Sequence, residues 1–263
     1  MISIEFSARS GNYLKEVLES TRLQTYQDFE VIVVNSNPNF SDLIKEYGGV
    51  EIPLNVGKLV ARKLAHEKSR GEYELMLEET RILRPDALET LNQLDSPEIA
   101  VIAEEEFGDT FINRINRIDA MLGTEFTSLT PENLFVLPRF YSRNALDSAI
   151  SAANRKLSND VFSRIVGSDL EILYFEAYQH GRHISLVRDK LIIKYGESSV
   201  RESFAKYHRY GKTQRLLSGT CYRDFYNIKR RFRPVPSLKY LPALATIYAI
   251  RGTAFFAGYY LSR

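Results

Sequence analysis

Phe29-Glu-Val-Ile-Val-Val34, followed at once by Asn35-Ser-Asn-Pro38, reads as a β-strand running straight into a turn. Its β-branched, nearly unbroken apolar run is that of a strand covered on both faces, as in a parallel sheet. Upstream, Ile2–Phe6 is a short apolar strand, and Asn12–Leu23 sets Tyr13, Leu14, Val17 and Leu18 on one side of a helix. Downstream, Val50–Leu54 is a short strand, and Gly57–Arg70 is a helix with Leu59, Val60, Leu64 and Ala65 as its apolar side. Glu74–Leu77 is the next strand, Pro85–Leu94 a helix with proline in its first turn, and Ile99–Ala103 a further strand. Strands alternating with helices in this way predict an α/β fold, a mixed and mostly parallel sheet flanked by helices. Phe107–Ala153 has no period that assigns it. Asp169–His180 is again amphipathic, with Gly181 as its stop.

The chain has 263 residues, 44% hydrophobic and 26% charged, enough for one large core and an appendage. Its net charge of +2 conceals segregation. Acidic residues crowd Glu72–Asp109, whereas Arg201–Arg233 is strongly basic, which suits an anionic partner. We therefore divide the chain into residues 1–200 and a basic, apolar C-terminal segment, 201–263. In that segment Ser198–Leu217 reads as a basic helix and Lys229–Arg233 as a cationic cluster, with Pro234 and Pro236 behind it. Tyr240–Tyr260 is long enough to reach across a bilayer, which takes about 20 apolar residues. Pro242, Arg251 and Gly252 argue against a simple span, and an interfacial helical hairpin is expected. Cations beside an apolar segment fit an anionic lipid surface better than nucleic acid, for which no binding motif is present. The single cysteine, Cys221, excludes an internal disulfide framework, and Met1–Glu5 has no signal-peptide character. A cytoplasmic protein, peripheral on the cytoplasmic face of the membrane, is the expectation.

Ligands of open parallel sheets sit beyond the carboxyl ends of the strands. The polar tips there are Ser7-Ala-Arg9-Ser10, Asn35-Ser-Asn37, Asn55-Val-Gly57-Lys58 and Glu78-Glu79-Thr80. Each alone is ordinary turn chemistry; four at one edge make a site. No G-x-G-x-x-G follows the first strand and no G-x-x-x-x-G-K-[ST] occurs, which excludes the usual dinucleotide and P-loop devices. Glu104-Glu105-Glu106, after the fifth strand, is placed to line an acceptor site, but a solvated acidic run is the stronger reading. Arg62 reads equally as a phosphate ligand and as half of a surface ion pair, and Asp169 by itself reads as a helix N-cap.

The runs Asn12–Val34, Asn55–Leu64 (N-V-G-K-L-V-A-R-K-L), Arg70–Leu88, Leu137–Arg143 (L-P-R-F-Y-S-R) and Ser168–Arg182 resemble, in order and spacing, the family-2 glycosyltransferases. The resemblance covers most of residues 1–215. It implies a GT-A fold and inverting transfer of a sugar from a nucleoside diphosphate to a membrane-proximal glycan, polyprenyl-phosphate-linked acceptors included. It places Ser7, Arg9, Asn35 and Glu78 on the nucleoside, Lys58 and Arg62 on the diphosphate, Arg139 and Arg143 on the acceptor side, and Asp169 as the general base. Asn35 stands where the family has an aspartate. The family's Asp-x-Asp, which binds ribose and a divalent cation (Mg or Mn), is here Glu78-Glu79-Thr80. Threonine is a poor ligand for a hard cation, so Glu79 is the substitute in reach, with a site built on Lys58, Arg62 and Lys194 as the metal-free alternative. Because Asn35, Thr80 and Ser168 depart from the pattern, a non-catalytic nucleotide-sugar or glycan-binding protein on the same fold stays open beside the enzyme.

Overall fold

The Val31–Val34 run lies at the heart of strand β2 (Phe29–Asn35), buried in a computed structural model that describes residues 1–126, 128–131, 136–180, 183–223 and 237–261. Strand β1 (Ile2–Ala8) pairs with it in parallel, Phe6 opposite Val33, and β3 (Val50–Pro53) pairs on its other side, Ile32 opposite Val50. On the far side of β1 lies β4 (Tyr73–Met76), also parallel. Helices α1 (Leu14–Arg22), α2 (Ser41–Glu46) and α3 (Lys58–Lys68) make the crossovers.

The second half departs from simple alternation. Strand β5 (Arg81–Leu83) and helix α4 (Ala87–Asn92) precede β6, which runs from Ile99 to Phe107. The unassigned middle folds as α5 (Phe111–Phe126), β7 (Pro138–Ser142) and α6 (Arg143–Lys156). Next come α7 (Asn159–Arg164), α8 (Asp169–Tyr178), β8 (Ile184–Tyr195) and α9 (Val200–Leu217). Among the described residues, eight strands are ordered β3-β2-β1-β4-β7-β6-β8-β5. β7 runs antiparallel between β4 and β6, β8 is parallel to β6, and β5 closes antiparallel on β8. Only the turn Leu77–Thr80 separates β4 from β5, yet three strands, β7, β6 and β8, lie between them in the sheet, so that part of it must curl. The architecture is mixed α/β, a curled and mostly parallel sheet with helices on its faces.

Apolar faces explain the layers. Ile4, Phe6, Leu75, Ile102 and Phe140 meet Leu14, Leu18 and Leu88 on one face; Met76, Val101 and Tyr141 meet Leu146, Ile150, Leu170 and Leu173 on the other. Burying each aliphatic side chain contributes about 1.5–3 kcal/mol. Helix α3 is different: beside Ala61 and Ala65 it carries Lys58, Arg62 and His66 along one side, four residues apart.

Three expectations need correction. Glu104–Glu106 is no solvated run: β6 carries it into the curl, where Glu106 is buried and Glu104 paired. Asp169 does not cap α8; Ser168 is the N-cap residue and Asp169 the first residue of the helix. The apolar end is no hairpin but one helix, α10 (Leu241–Phe256), continued by a π-helical turn to Leu261, with Pro242 harmless in its first turn. It packs on α9 and α5. Arg251 turns inward, donating to Asp119 at 2.6 Å and Asn116 at 2.9 Å. The cationic cluster Lys229–Arg233, with Pro234 and Pro236, and the helix stop Gly181 lie outside the described residues.

Candidate active site

Because β1–β4, β6 and β8 all point the same way, their carboxyl ends share one edge. At the β2 and β3 ends is a cleft of about 180 Å³ lined by Asn35, Ser36, Pro38, Ser41, Glu51, Pro53, Leu54 and Asn55. Asn35 is buried there. Its amide Nδ2 donates to Glu51 Oε1 at 2.6 Å and its Oδ1 accepts from the Asn37 amide at 3.0 Å. Ser41 Oγ donates to the same Glu51 oxygen at 2.8 Å.

Next along the edge, three loops are tied together. The Arg9 guanidinium donates to the Val56 carbonyl, joining the loop after β1 to that before α3. The backbone amides of Arg9 (2.7 Å), Ser10 (3.1 Å) and Gly11 (3.0 Å), with Ser10 Oγ (2.7 Å), all donate to the Glu79 carboxylate. Successive amides converging on an anion form a nest. Gly11 takes φ +70° there, a conformation glycine adopts without strain. Ser7 ends the row beside Val34, half-buried.

The turn and the curl hold a chain of charges. Lys58 and Arg81 each bind one oxygen of Glu78, and Arg81 (2.8 Å) and Arg139 both bind Glu104. Burial opposes both carboxylates, but the cations around them win. Arg81, Lys58 and Arg139 hold Glu78 well below the usual carboxylate range, and Arg139, Arg81 and Lys194 likewise lower Glu104. Lys194 itself donates to Glu106 at 2.8 Å.

Beneath them Arg62 is 3% exposed with every guanidinium nitrogen engaged. Nε donates to Asp169 Oδ2 at 3.2 Å, Nη2 to the Leu77 carbonyl at 3.0 Å, and Nη1 faces Glu5 at 3.5 Å. Burial pushes the Glu5 carboxyl up to about 8 against the pull of Arg62, so near neutrality Glu5 is protonated, and Asp169 at 3.2 Å is the closer carboxyl partner of Arg62. Ser168, at φ +64°, is the left-handed residue that turns the chain into α8 and sets Asp169 against Arg62. Across from it, Tyr210 of α9 packs so closely on Gly167 that a Cβ there would lie 2.5 Å from its ring.

The structure thus gathers Lys58, Arg62, Glu78, Arg139 and Asp169 around one centre, with Arg9, Glu79 and Asn35 along the rim. Two assignments change. Arg62 is no open phosphate ligand, since its donors are spent inside the protein. Arg143 is not brought to the site at all. Because β7 runs antiparallel to β4, Arg139 lies near Met76 at the site edge, whereas Arg143 lies at the opposite edge, donating to Ser69 at 2.7 Å. Arg139 is itself buried. Sequence reading missed Glu5, Glu51, Arg81 and Tyr210. Only Glu5 left a signal, a charge inside the apolar strand I-S-I-E-F.

As arranged, the Glu78-Glu79-Thr80 turn does not fit a hard cation. Both oxygens of Glu78 are held by cations, the Glu79 carboxylate by amides, and the Thr80 carbonyl by the Tyr195 amide at 2.8 Å. Among the described residues no group of three or more His, Cys, Asp or Glu is placed to hold a metal.

Residues 7–104 match the family model Glycosyl transferase family 2. An uncharacterised glycosyltransferase of Methanocaldococcus jannaschii is 36% identical over 87 residues, 29% of this chain and 30% of that protein. Among solved structures, a mannosyltransferase from Pyrobaculum calidifontis in complex with GDP-mannose and Mn²⁺ superposes with a TM-score of 0.56 at 15% identity, over 98% of this chain and 72% of its own. S. aureus TarS superposes with a TM-score of 0.52 at 14% identity, over 98% of this chain and 54% of its own. A shorter TarS chain in complex with UDP gives 0.55 at 13%, over 96% and 80%. The chain thus spans about half of full TarS and under a third of the archaeal relative. The fold is that of the GT-A glycosyltransferases, and the stretch 7–104 is similar to the family-2 glycosyltransferases.

Proposed function

We propose that this chain is an inverting glycosyltransferase that moves one sugar from a nucleoside diphosphate to an acceptor hydroxyl at a membrane surface. The observation that carries the reading is the Arg62–Asp169 pair at 3.2 Å, beside Glu78 and facing the strand ends. Arg62 holds Oδ2 and leaves the other oxygen of Asp169 for the acceptor. In a single displacement Asp169 takes the acceptor proton as the acceptor oxygen bonds to the anomeric carbon. The bond from that carbon to the phosphate oxygen breaks, and the nucleoside diphosphate leaves with the electron pair. Lys58, partly open at the first turn of α3, meets its charge together with the positive end of the helix. Neighbours crystallised with Mn²⁺ make a cation conceivable for the fold, but the residues of this turn supply no step through one. Asp169→Asn tests the reading. It should lower kcat by about a hundredfold to ten-thousandfold while leaving donor affinity unchanged. Unchanged turnover would remove Asp169 as the base.

The acceptor side of the proposal rests on α10. Leu238–Leu261, 24 residues, is long and apolar enough to cross a membrane by length and composition. Its inward Arg251–Asp119 pair favours a helix that lies on the surface instead. Leu241, Phe256, Tyr260 and Leu261 point outward, with Leu261 79% exposed, and Arg201, Arg209 and Lys212 are exposed on neighbouring α9. Vesicle co-sedimentation of a Phe256→Ser/Tyr260→Ser/Leu261→Ser variant checks this. Wild-type protein should pellet with anionic vesicles and the variant stay in the supernatant; a variant that pellets equally sinks the membrane reading.

A further inference from the structure

We infer that Glu51, not Asn35, reads the nucleobase, and that it selects a pyrimidine with an imide N–H, uracil or thymine; the inference rests on the donor reading above. The cleft at the ends of β2 and β3 is small, about 180 Å³ against the several hundred typical of a site holding a whole ligand. Its polar groups are not equivalent. The Asn35 amide has its oxygen taken by the Asn37 N–H and one of its hydrogens by Glu51, and these partners fix which way the amide faces. Asn35 is therefore a positioning residue. Glu51 Oε1 already accepts from Asn35 Nδ2 and Ser41 Oγ, which leaves Oε2 as the acceptor turned to a ligand.

A carboxylate oxygen accepts and cannot donate. Uracil and thymine offer their N3–H to one such oxygen. Cytosine presents a lone pair at N3 and adenine one at N1, so either, in the orientation that brings uracil N3–H to Oε2, meets it with a lone pair and pairs only by turning to offer its exocyclic amino group. Guanine presents N1–H and its 2-amino group side by side, a pair that asks for both carboxylate oxygens, and one is already occupied. Pro38, Pro53 and Leu54 complete a wall against which a flat ring lies. The carboxylate that the resemblance expects at the end of β2 is thus supplied from β3, across the strand pair Val34–Ile52.

The experiment is titration of the full chain with UDP, dTDP, CDP, ADP, GDP and N3-methyl-UDP, followed by calorimetry. UDP or dTDP should bind at least about tenfold tighter than CDP, ADP, GDP and N3-methyl-UDP, since losing a hydrogen bond to a charged group costs about that factor or more. Glu51→Gln, whose amide can donate to cytosine N3, should erase the preference for UDP over CDP. The N3-methyl comparison needs no variant and stands even if Glu51→Gln fails to fold. Preference for GDP, equal binding of N3-methyl-UDP, or an unaltered preference in a folded Glu51→Gln would overturn the inference and leave the donor reading standing. Failure of every nucleotide to bind the wild type would overturn the donor reading and this inference with it.

Discussion

Arg62 brings a guanidinium into the space between α3 and the sheet, where Glu5 and Asp169 meet it. Removing one partner of a buried pair strands the other, at a cost of about 3–5 kcal/mol. Arg62→Leu should therefore lower stability by that order in urea unfolding and lower turnover too, since Asp169 loses its anchor. Glu5→Gln should behave differently. Its carboxyl, raised to about 8 from an unfolded value of 4.5, holds a proton in the folded state that the unfolded chain releases. That contribution is complete below about pH 4.5 and is lost as pH rises through 8, on the order of a few kcal/mol. Glu5→Gln should match wild type at pH 5 and lose less stability between pH 6 and 9; parallel pH profiles would refute the protonated Glu5. How much of the site is legible at this scale depends on the residue. Lys58, Glu78 and Asp169 can be found because spacing and resemblance point at them. The partners of Glu51 and Glu104 cannot, because Asn35 and Arg139 lie 16 and 35 residues away along the chain and meet them only across strands.

Element α3 shows how one helix serves both fold and site. Ala61 and Ala65 let it lie close to Ile32 and Val34, while Lys58, Arg62 and His66 reach Glu78, Asp169 and Glu74 in turn. The spacing of four was visible in sequence; that its cations face inward was not, because an i, i+4 cationic stripe is equally at home in water. Helices α9 and α10 pose the converse case. They touch through glycines: a Cβ on Gly211 would lie 2.1 Å from the Phe255 carbonyl, and one on Gly258 2.0 Å from that of His208. Among the described residues nothing lies within 4 Å of a Cβ on Gly252 in the same helix. Gly211→Ala should cost about 1–3 kcal/mol by prising the helices apart. Gly252→Ala should be neutral or stabilise by up to about 1 kcal/mol through helix propensity. Thermal melts of the two variants check this; equal shifts would mean that the helices are not held by that contact.

Over the whole molecule the charges fall into two classes of opposite pH response. Glu78, Glu104 and Glu197, the last lowered to about 2, are held below 4.5 by the cations that overcome their burial. They contribute stability above the unfolded value and lose it as pH falls. Glu5 and His66, raised by their surroundings, contribute at low pH and lose it as pH rises; His66 is raised by Glu74 and Asp147 against its own burial. Stability measured by urea unfolding should therefore peak between about pH 4.5 and 6.5, narrower on the alkaline side than carboxylates alone would give. A maximum above pH 8 would contradict the assignment of Glu5 and His66.

By itself the sequence determined the α/β class, the order of β1 to β4 with their helices, and the edge at which the polar tips gather, while Asp169 became a candidate only through the resemblance. Those follow from local periodicity and from the rule that strands of a parallel sheet end together. Only the tertiary structure decided that β6 takes Glu104–Glu106 inward, that β7 carries Arg139 to the site and Arg143 away from it, that Arg62 is a tether, and that Glu79 is bound by amides. It also made the apolar end one helix packed on α5 and α9. The reason in each case is the same: the curl of the sheet and the antiparallel insertion of β7 set which distant charges become neighbours, and no local pattern encodes a contact made across the sheet.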